Sequence, residues 1–181
     1  VIGSGRTDAG VHAKGQVANF HIEEHFTDGK ILSYLNHYLP DDIAVIAIEQ
    51  VDERFHSRYA AKKKTYRYHI HMGEISDVFE RKYEDQYEKT LDVERMKEAA
   101  SYLIGTHDFT SFCGNKKMKK TAVRTIYEIN FTKKGNDLWI DYRGNGFLQN
   151  MVRILTGTLI EVGDGRRAPE ELPQILESKN R

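Results

Sequence analysis

The stretch "RTIYEINFTKKGNDLWIDYRG", residues 124–144, narrows the possible folds more than any other. Two runs rich in β-branched and aromatic residues flank Gly135-Asn136, and a glycine–asparagine pair between such runs signals a tight β-hairpin. A lone hairpin is marginal in water, so the chain must supply further elements to cover its apolar face. "KTYRYHIHM" (64–72) is one: strict alternation puts Tyr66, Tyr68, Ile70 and Met72 on one strand face, and His69 with His71 on the other. "GQVANFHI" (15–22) alternates in the same way, and "IAVIAIEQV" (43–51) reads as a buried strand. Helices are expected at 27–40, with Thr27 as N-cap and Pro40 at the end, and at 92–105, between a capping Asp92 and Gly105. "GFLQNMVRILTGTLIEVG" (146–163) reads as a long apolar helix, and 168–179 as a short one interrupted by Pro173. This order predicts an α+β fold, a mostly antiparallel sheet flanked by helices. The chain passes twice through a strand-and-helix sequence, which suggests two related halves.

The 181 residues suffice for one medium domain or two small intertwined halves, and the 39% hydrophobic content allows a buried core. The formal net charge is zero, so no general basic coat is present. Charge is instead segregated. Residues 54–67 carry Arg54, Arg58, Lys62, Lys63, Lys64 and Arg67 without an acid. Residues 113–124 carry Lys116, Lys117, Lys119, Lys120 and Arg124, again without an acid, while 74–98 are rich in Glu and Asp. Such runs are either solvated loops or phosphate contacts. Tyr59, Tyr66 and Tyr68 beside the first run favour RNA, which is bound by cations and stacking rings together. The single cysteine, Cys113, excludes an internal disulfide framework. No apolar run reaches membrane-spanning length and no signal-peptide pattern opens the chain, so a cytoplasmic location is expected. The start at Val1, running at once into what reads as a strand end, predicts that the natural protein begins further upstream.

Chemistry concentrates in "GSGRTDAGVHA" (3–13), which sets Asp8 among glycines beside Arg6. The loop is not a P-loop, since no Gly-Lys-Ser/Thr follows, and Asp8 stands where a dinucleotide fingerprint needs its third glycine. Asp8 could accept hydrogen bonds within a turn or present its carboxylate to a substrate, and the residues alone leave both open. Arg153 falls on the narrow polar stripe of the apolar 146–163 segment. A guanidinium on so buried a helix calls for an anionic partner, and Asp8 is the expected one. Tyr66, next to three lysines, could be a core aromatic or a ring for base stacking. Tyr68 reads as core. His69 and His71 have a metal-ligand spacing without an obvious third ligand, so no metal site is expected. Cys113 has no histidine near it in sequence, and no Gly-x-Ser-x-Gly elbow is present.

Four segments, "GSGRTDAGVHAKGQVANF", "RYAAKKKTYRY", "GTHDFTSF" and "GFLQNMVRILTGTLIEVG", resemble the signature stretches of the TruA-type tRNA pseudouridine synthase family, in the family's order and across nearly the whole chain. The resemblance implies the pseudouridine synthase fold, with an active cleft on the sheet between two related halves. Residues 1–60 would be the remainder of the N-terminal half and 61–181 the C-terminal half. Family members have a further strand and helix before the aspartate loop and a further strand after the last helix, so this chain is expected to be a fragment with open sheet edges. The resemblance further implies a homodimer of the full-length protein gripping tRNA, and conversion of uridines in the anticodon stem-loop with neither metal nor organic cofactor. Carried onto matching positions, Asp8 is the catalytic aspartate, Arg6 helps turn the base out, Tyr66 packs on the uracil and Arg153 pairs with the aspartate. Arg58, Lys62, Lys63, Lys64, Lys116, Lys117, Lys119 and Lys120 are the expected RNA contacts. Two rivals remain: a non-catalytic RNA-binding module of this fold, and a glycoside hydrolase, which needs a second carboxylate that the four motifs do not obviously supply.

Overall fold

The computed structural model describes residues 1–22, 26–115, 117 and 121–180. The chain divides into two compact units, Val1–Arg6 with Ala13–Ala61, and Thr7–His12 with Lys62–Arg181.

In the first unit, β1 (Ile2–Gly3) and β2 (Ala18–Asn19) form a short antiparallel pair, followed by α1 (Asp28–Tyr38) and α2 (Ser57–Ala60). Ser57 ties α2 to the strands. Its N–H donates to Asn19 Oδ1 at 3.0 Å and its hydroxyl donates to the Ile2 carbonyl at 2.6 Å. The strand expected over 15–22 is thus reduced to Ala18–Asn19. The buried strand expected at 43–51 does not form, and Ile46 is 82% exposed. The reason is local: the Asn36 side chain takes both backbone groups of Val45, accepting from its N–H at 2.7 Å and donating to its C=O at 2.9 Å. β-propensity without a neighbouring strand leaves such a segment extended but unpaired. Among the described residues of this unit no apolar side chain is buried.

The second unit holds the core. Its elements are β3 (Lys64–Met72), β4 (Asp85–Tyr87), α3 (Val93–Ser101), β5 (Gly105–Asp108), a 3₁₀ turn (Thr110–Phe112), β6 (Val123–Lys134), β7 (Asp137–Gly144), α4 (Met151–Gly163) and α5 (Glu171–Ser178). The five-stranded sheet runs β4-β3-β7-β6-β5. Only the β3–β4 pair is parallel, so the fold is α+β with a mostly antiparallel mixed sheet, as the sequence predicts. β6 and β7 turn over Gly135-Asn136, with Lys134 opposite Asp137.

The pleat sorts side chains by face. Ile70 and Met72 of β3, Ile126 of β6 and Leu138, Ile140 and Tyr142 of β7 are buried. So are Met96, Ala99 and Ala100 of α3, Met151, Leu155, Leu159 and Val162 of α4, and Leu172 and Leu176 of α5. Asp92 caps α3, its carboxylate accepting from Glu94 N and Arg95 N, each at 3.1 Å. That helix stops short of Gly105: the N–H groups of Tyr102, Leu103 and Ile104 each turn back three residues, tightening the chain before β5. α3 and α4 approach closely at Gly163, where a Cβ would meet Met96 Sδ at 2.8 Å. Pro173 does not interrupt α5, because it sits in the first turn, where its missing N–H costs no helical bond. No described helix is long and apolar enough to cross a membrane.

Tyr142 is fully buried, and its hydroxyl lies 2.9 Å from Thr156 Oγ1. The Thr156 hydroxyl already donates to the Val152 carbonyl at 2.9 Å, so Tyr142 is the donor between them. Thr156→Val, which strands a buried donor, should cost about 1–3 kcal/mol, and Tyr142→Phe about 1 kcal/mol. Urea unfolding midpoints measure the order, and a larger loss in Tyr142→Phe would contradict this hydrogen-bond direction.

Candidate active site

The segment Thr7–His12 belongs to the second unit. The Val11 N–H donates to the Asp8 carbonyl at 3.1 Å, closing a turn in which Gly10 takes φ 75°, a left-handed value that a side chain resists. The peptide carbonyl of Asp8, not its carboxylate, therefore makes the turn. Among the described residues no group hydrogen-bonds or ion-pairs to the carboxylate, and Asp8 is exposed.

Two contacts hold this loop on its own unit. Arg153 Nη2 donates to the Ala9 carbonyl at 3.1 Å. The His12 ring meets Tyr83 edge-on, with centroids 4.6 Å apart. Asp8, Ala9, Asn150, Arg153 and Ile154 line a pocket of about 500 Å³ beside the loop.

The expected buried pair between Arg153 and Asp8 is not formed. Arg153 is exposed and its guanidinium meets the loop backbone instead. The physical reason lies in where α4 starts. Residues 146–150 are not helical, Asn150 turns left-handed at φ 57°, and α4 begins at Met151. Arg153 thus stands in the first helical turn, at the open end of α4 rather than midway along a buried one.

Tyr66, on β3, is half-buried and meets Phe147 edge-on, with centroids 5.2 Å apart. Burial first, and the negative charge of Asp8 second, push its hydroxyl above the ordinary value. Tyr68, expected as a core aromatic, is partly buried and packs against the core, and its hydroxyl donates to Asp85 Oδ2 at 3.0 Å. Its hydroxyl is pushed up to about 12 by burial and then by Asp85, with the positive charge of Arg153 opposing. The charge of Asp8 therefore reaches Tyr66, and that of Arg153 reaches Tyr68. An exposed carboxylate in an open pocket suits a substrate too large to be enclosed.

The sequence profile of the tRNA pseudouridine synthase family matches residues 1–60 and 99–181. The chain belongs to this family. It is 49% identical over 181 residues to the tRNA pseudouridine synthase A of Brevibacillus brevis, spanning all of this chain and 74% of that protein. It is 50% identical over 181 residues to tRNA pseudouridine synthase A 2 of Bacillus anthracis, with the same coverage. With the tRNA pseudouridine synthase A of Bacillus sp. strain KSM-64 the identity is 52% over 183 residues, again covering 74% of the relative.

For this member of the tRNA pseudouridine synthase family, the remaining candidate residues lie as follows. Arg6 is exposed and belongs to the first unit. Arg58, Lys62, Lys63 and Lys117 are exposed, and Lys64 is half-buried in β3. Tyr59 is exposed too and stacks on His56, with centroids 4.1 Å apart. Lys116, Lys119 and Lys120 lie outside the described residues. Sequence reasoning missed Asn150, whose tolerance of left-handed backbone was the available signal, and Phe147, which it placed inside the helix.

An exposed guanidinium with one backbone contact contributes little to folding. Arg153→Leu should change the unfolding free energy by no more than about 0.5 kcal/mol. A loss of about 2 kcal/mol or more on urea titration would contradict the exposed placement.

Proposed function

We propose that this protein isomerises uridine to pseudouridine in the anticodon stem-loop of tRNA, with Asp8 as the group that acts on the ribose. What supports the reading is that an exposed carboxylate, without a partner among the described residues, shares its pocket with Arg153 and its field with Tyr66, in a chain of this family.

The reaction breaks the bond from ribose C1′ to uracil N1 and makes one from C1′ to C5. N1 gains a proton and C5 loses one, so atoms balance without an added reagent. The carboxylate either adds to C1′ as uracil leaves, or takes a neighbouring sugar proton and lets the base depart. Both routes need an unblocked carboxylate, and a free Asp8 serves either one. A uridine stacked in an RNA stem cannot offer C1′ to a protein, so it must be extruded, at a cost of a few kcal/mol. Arg6 would fill the gap left in the stack. The Tyr66 ring would hold the detached uracil, which is worth about 1–3 kcal/mol.

Arg153 takes a different part from the one the resemblance implies. Through the Ala9 carbonyl it would fix the loop that carries Asp8, and it would place a positive charge near the anion formed when uracil leaves. A glycoside hydrolase would need a second carboxylate, and among the described residues lining the pocket Asp8 is the only acid.

Arg58, Lys62, Lys63, Lys64, Lys117 and the lysines at 116, 119 and 120 would hold phosphates and set the register of the stem without reading sequence. Residues 1–60 would be the remainder of the N-terminal half and 61–181 the C-terminal half, in a protein that acts as a homodimer.

Asp8→Ala should lower tritium release from C5-labelled uridine in tRNA on the order of 10³-fold or more, while tRNA affinity stays within a few-fold. Equal release from the variant and an active parent would rule out Asp8 as the group that acts on the ribose, and no release from either would leave the non-catalytic RNA-binding reading. Lys62→Ala with Lys63→Ala should flatten the slope of log affinity for tRNA against log salt by roughly 1.4–1.8, the loss of two phosphate contacts. An unchanged slope would remove these lysines from the RNA surface.

A further inference from the structure

The face of β3 opposite Tyr66 carries a separate polar cluster. The pleat sends His69 and His71 there, and the β3–β7 register sets His71 opposite Asp137 and His69 opposite Trp139. Glu84 immediately precedes β4, whose first residue, Asp85, pairs with Ile70, so the short parallel strand delivers Glu84 beside His69. The His69 ring lies between two carboxylates. Its Nε2 is 3.0 Å from Asp137 Oδ1, and its Nδ1 is 3.6 Å from Glu84 Oε2. The ring also stacks on Trp139, which fixes its plane, with centroids 4.7 Å apart. His71 Nδ1 approaches the same Asp137 oxygen at 2.8 Å.

Glu84 is the anomaly. Its side chain is only 3% exposed, and both carboxylate oxygens are buried without a hydrogen-bond partner among the described residues. An unsatisfied buried carboxylate is costly and must be offset by a proton or a cation. Burial pushes this carboxyl above its ordinary range, and the charges of His69 and His71 only partly oppose that, with Asp137 and Asp77 adding to it. Meanwhile one donor atom from each of His69, Glu84 and Asp137 lies within 4.8 Å of the others. Around a tetrahedral cation with bonds of about 2.0–2.2 Å the donors would stand roughly 3.4 Å apart, and since one imidazole nitrogen ligates the ion, one carboxylate would swing round the His69 ring to join the other.

We propose that His69, Glu84 and Asp137 bind one divalent first-row transition cation of the zinc class, with His71 holding Asp137 in position. The imidazole donor selects such ions over magnesium and calcium, which prefer an all-oxygen shell. Water completes the coordination from the side of Asp137, which is 32% exposed. The carboxylate of Glu84 gains the cation that its burial demands. The function is a staple: β4 has three residues and is the edge strand beside β3, and the metal would clamp it to β3 and β7. This inference is independent of the role proposed for Asp8.

The test is a titration of the untagged, chelator-treated protein with Co²⁺ alone, followed by Zn²⁺ in competition. One equivalent should bind with the visible absorption of low-coordinate cobalt, and Zn²⁺ should bleach it. Glu84→Gln should abolish that absorption, His71→Ala should weaken binding roughly 10–100-fold as loss of an outer partner does, and His107→Ala should leave it unchanged. Should a variant misfold, the wild-type protein still decides: Zn²⁺ must shift the ring NMR signals of His69 and His71 and not those of His107. No cobalt uptake, equal uptake by folded Glu84→Gln, or histidine signals that ignore Zn²⁺ would each overturn the site and leave a histidine–carboxylate network in its place.

Discussion

The ladder between β3 and β7 runs unbroken from Lys64 opposite Gly144 to His71 opposite Asp137. With that register fixed, the pleat leaves no freedom about which side chains meet. One face of β3 presents Tyr66 and Tyr68, then Ile70 and Met72, so its far end enters the core while Tyr66, at its near end, feels the charge of Asp8. The other face presents His69 and His71 to Asp137 and Trp139. A slip of one residue would exchange the two sets, putting imidazoles in the core and phenols on the opposite surface. Burial of Ile70, Met72, Leu138, Ile140 and Tyr142 opposes that slip, so packing on one side guarantees the chemistry on both.

The Asp8 loop shows a different economy. It is not buried in the second unit but tethered to it through the Ala9 carbonyl and the edge of His12. Its anion is thereby spared the desolvation that enclosure would impose. An arginine that grips the backbone beside an aspartate positions it without neutralising it. That arrangement suits the role proposed for Asp8, and a pocket open to solvent suits a substrate that arrives as a folded polymer.

Much of this was legible in the sequence because its signals are local. The β6–β7 hairpin follows from Gly135-Asn136 between β-prone runs, β3 from strict alternation, and the start of α3 from Asp92. The Asp8 loop is marked by its glycines and its acid. The misreadings arose where a pattern needs a partner to become structure. Residues 43–51 have the composition of a strand, yet Asn36 satisfies Val45 and no strand among the described residues pairs with them. Phe147 and Leu148 are apolar whether they lie in a helix or in a buried loop, so the true start of α4 was hidden, and the surroundings of Arg153 with it. Glu84 sits in a run of acids, and only the register of a three-residue parallel strand singles it out.

A structure of this protein bound to an anticodon stem-loop RNA with 5-fluorouridine at the target position would show whether Asp8 meets the sugar. The account predicts an extruded nucleoside whose C1′ lies within about 3.5 Å of an Asp8 oxygen, with the Tyr66 ring against the base. A nucleoside still stacked in the stem, or seated with its C1′ beyond reach of Asp8, would contradict it.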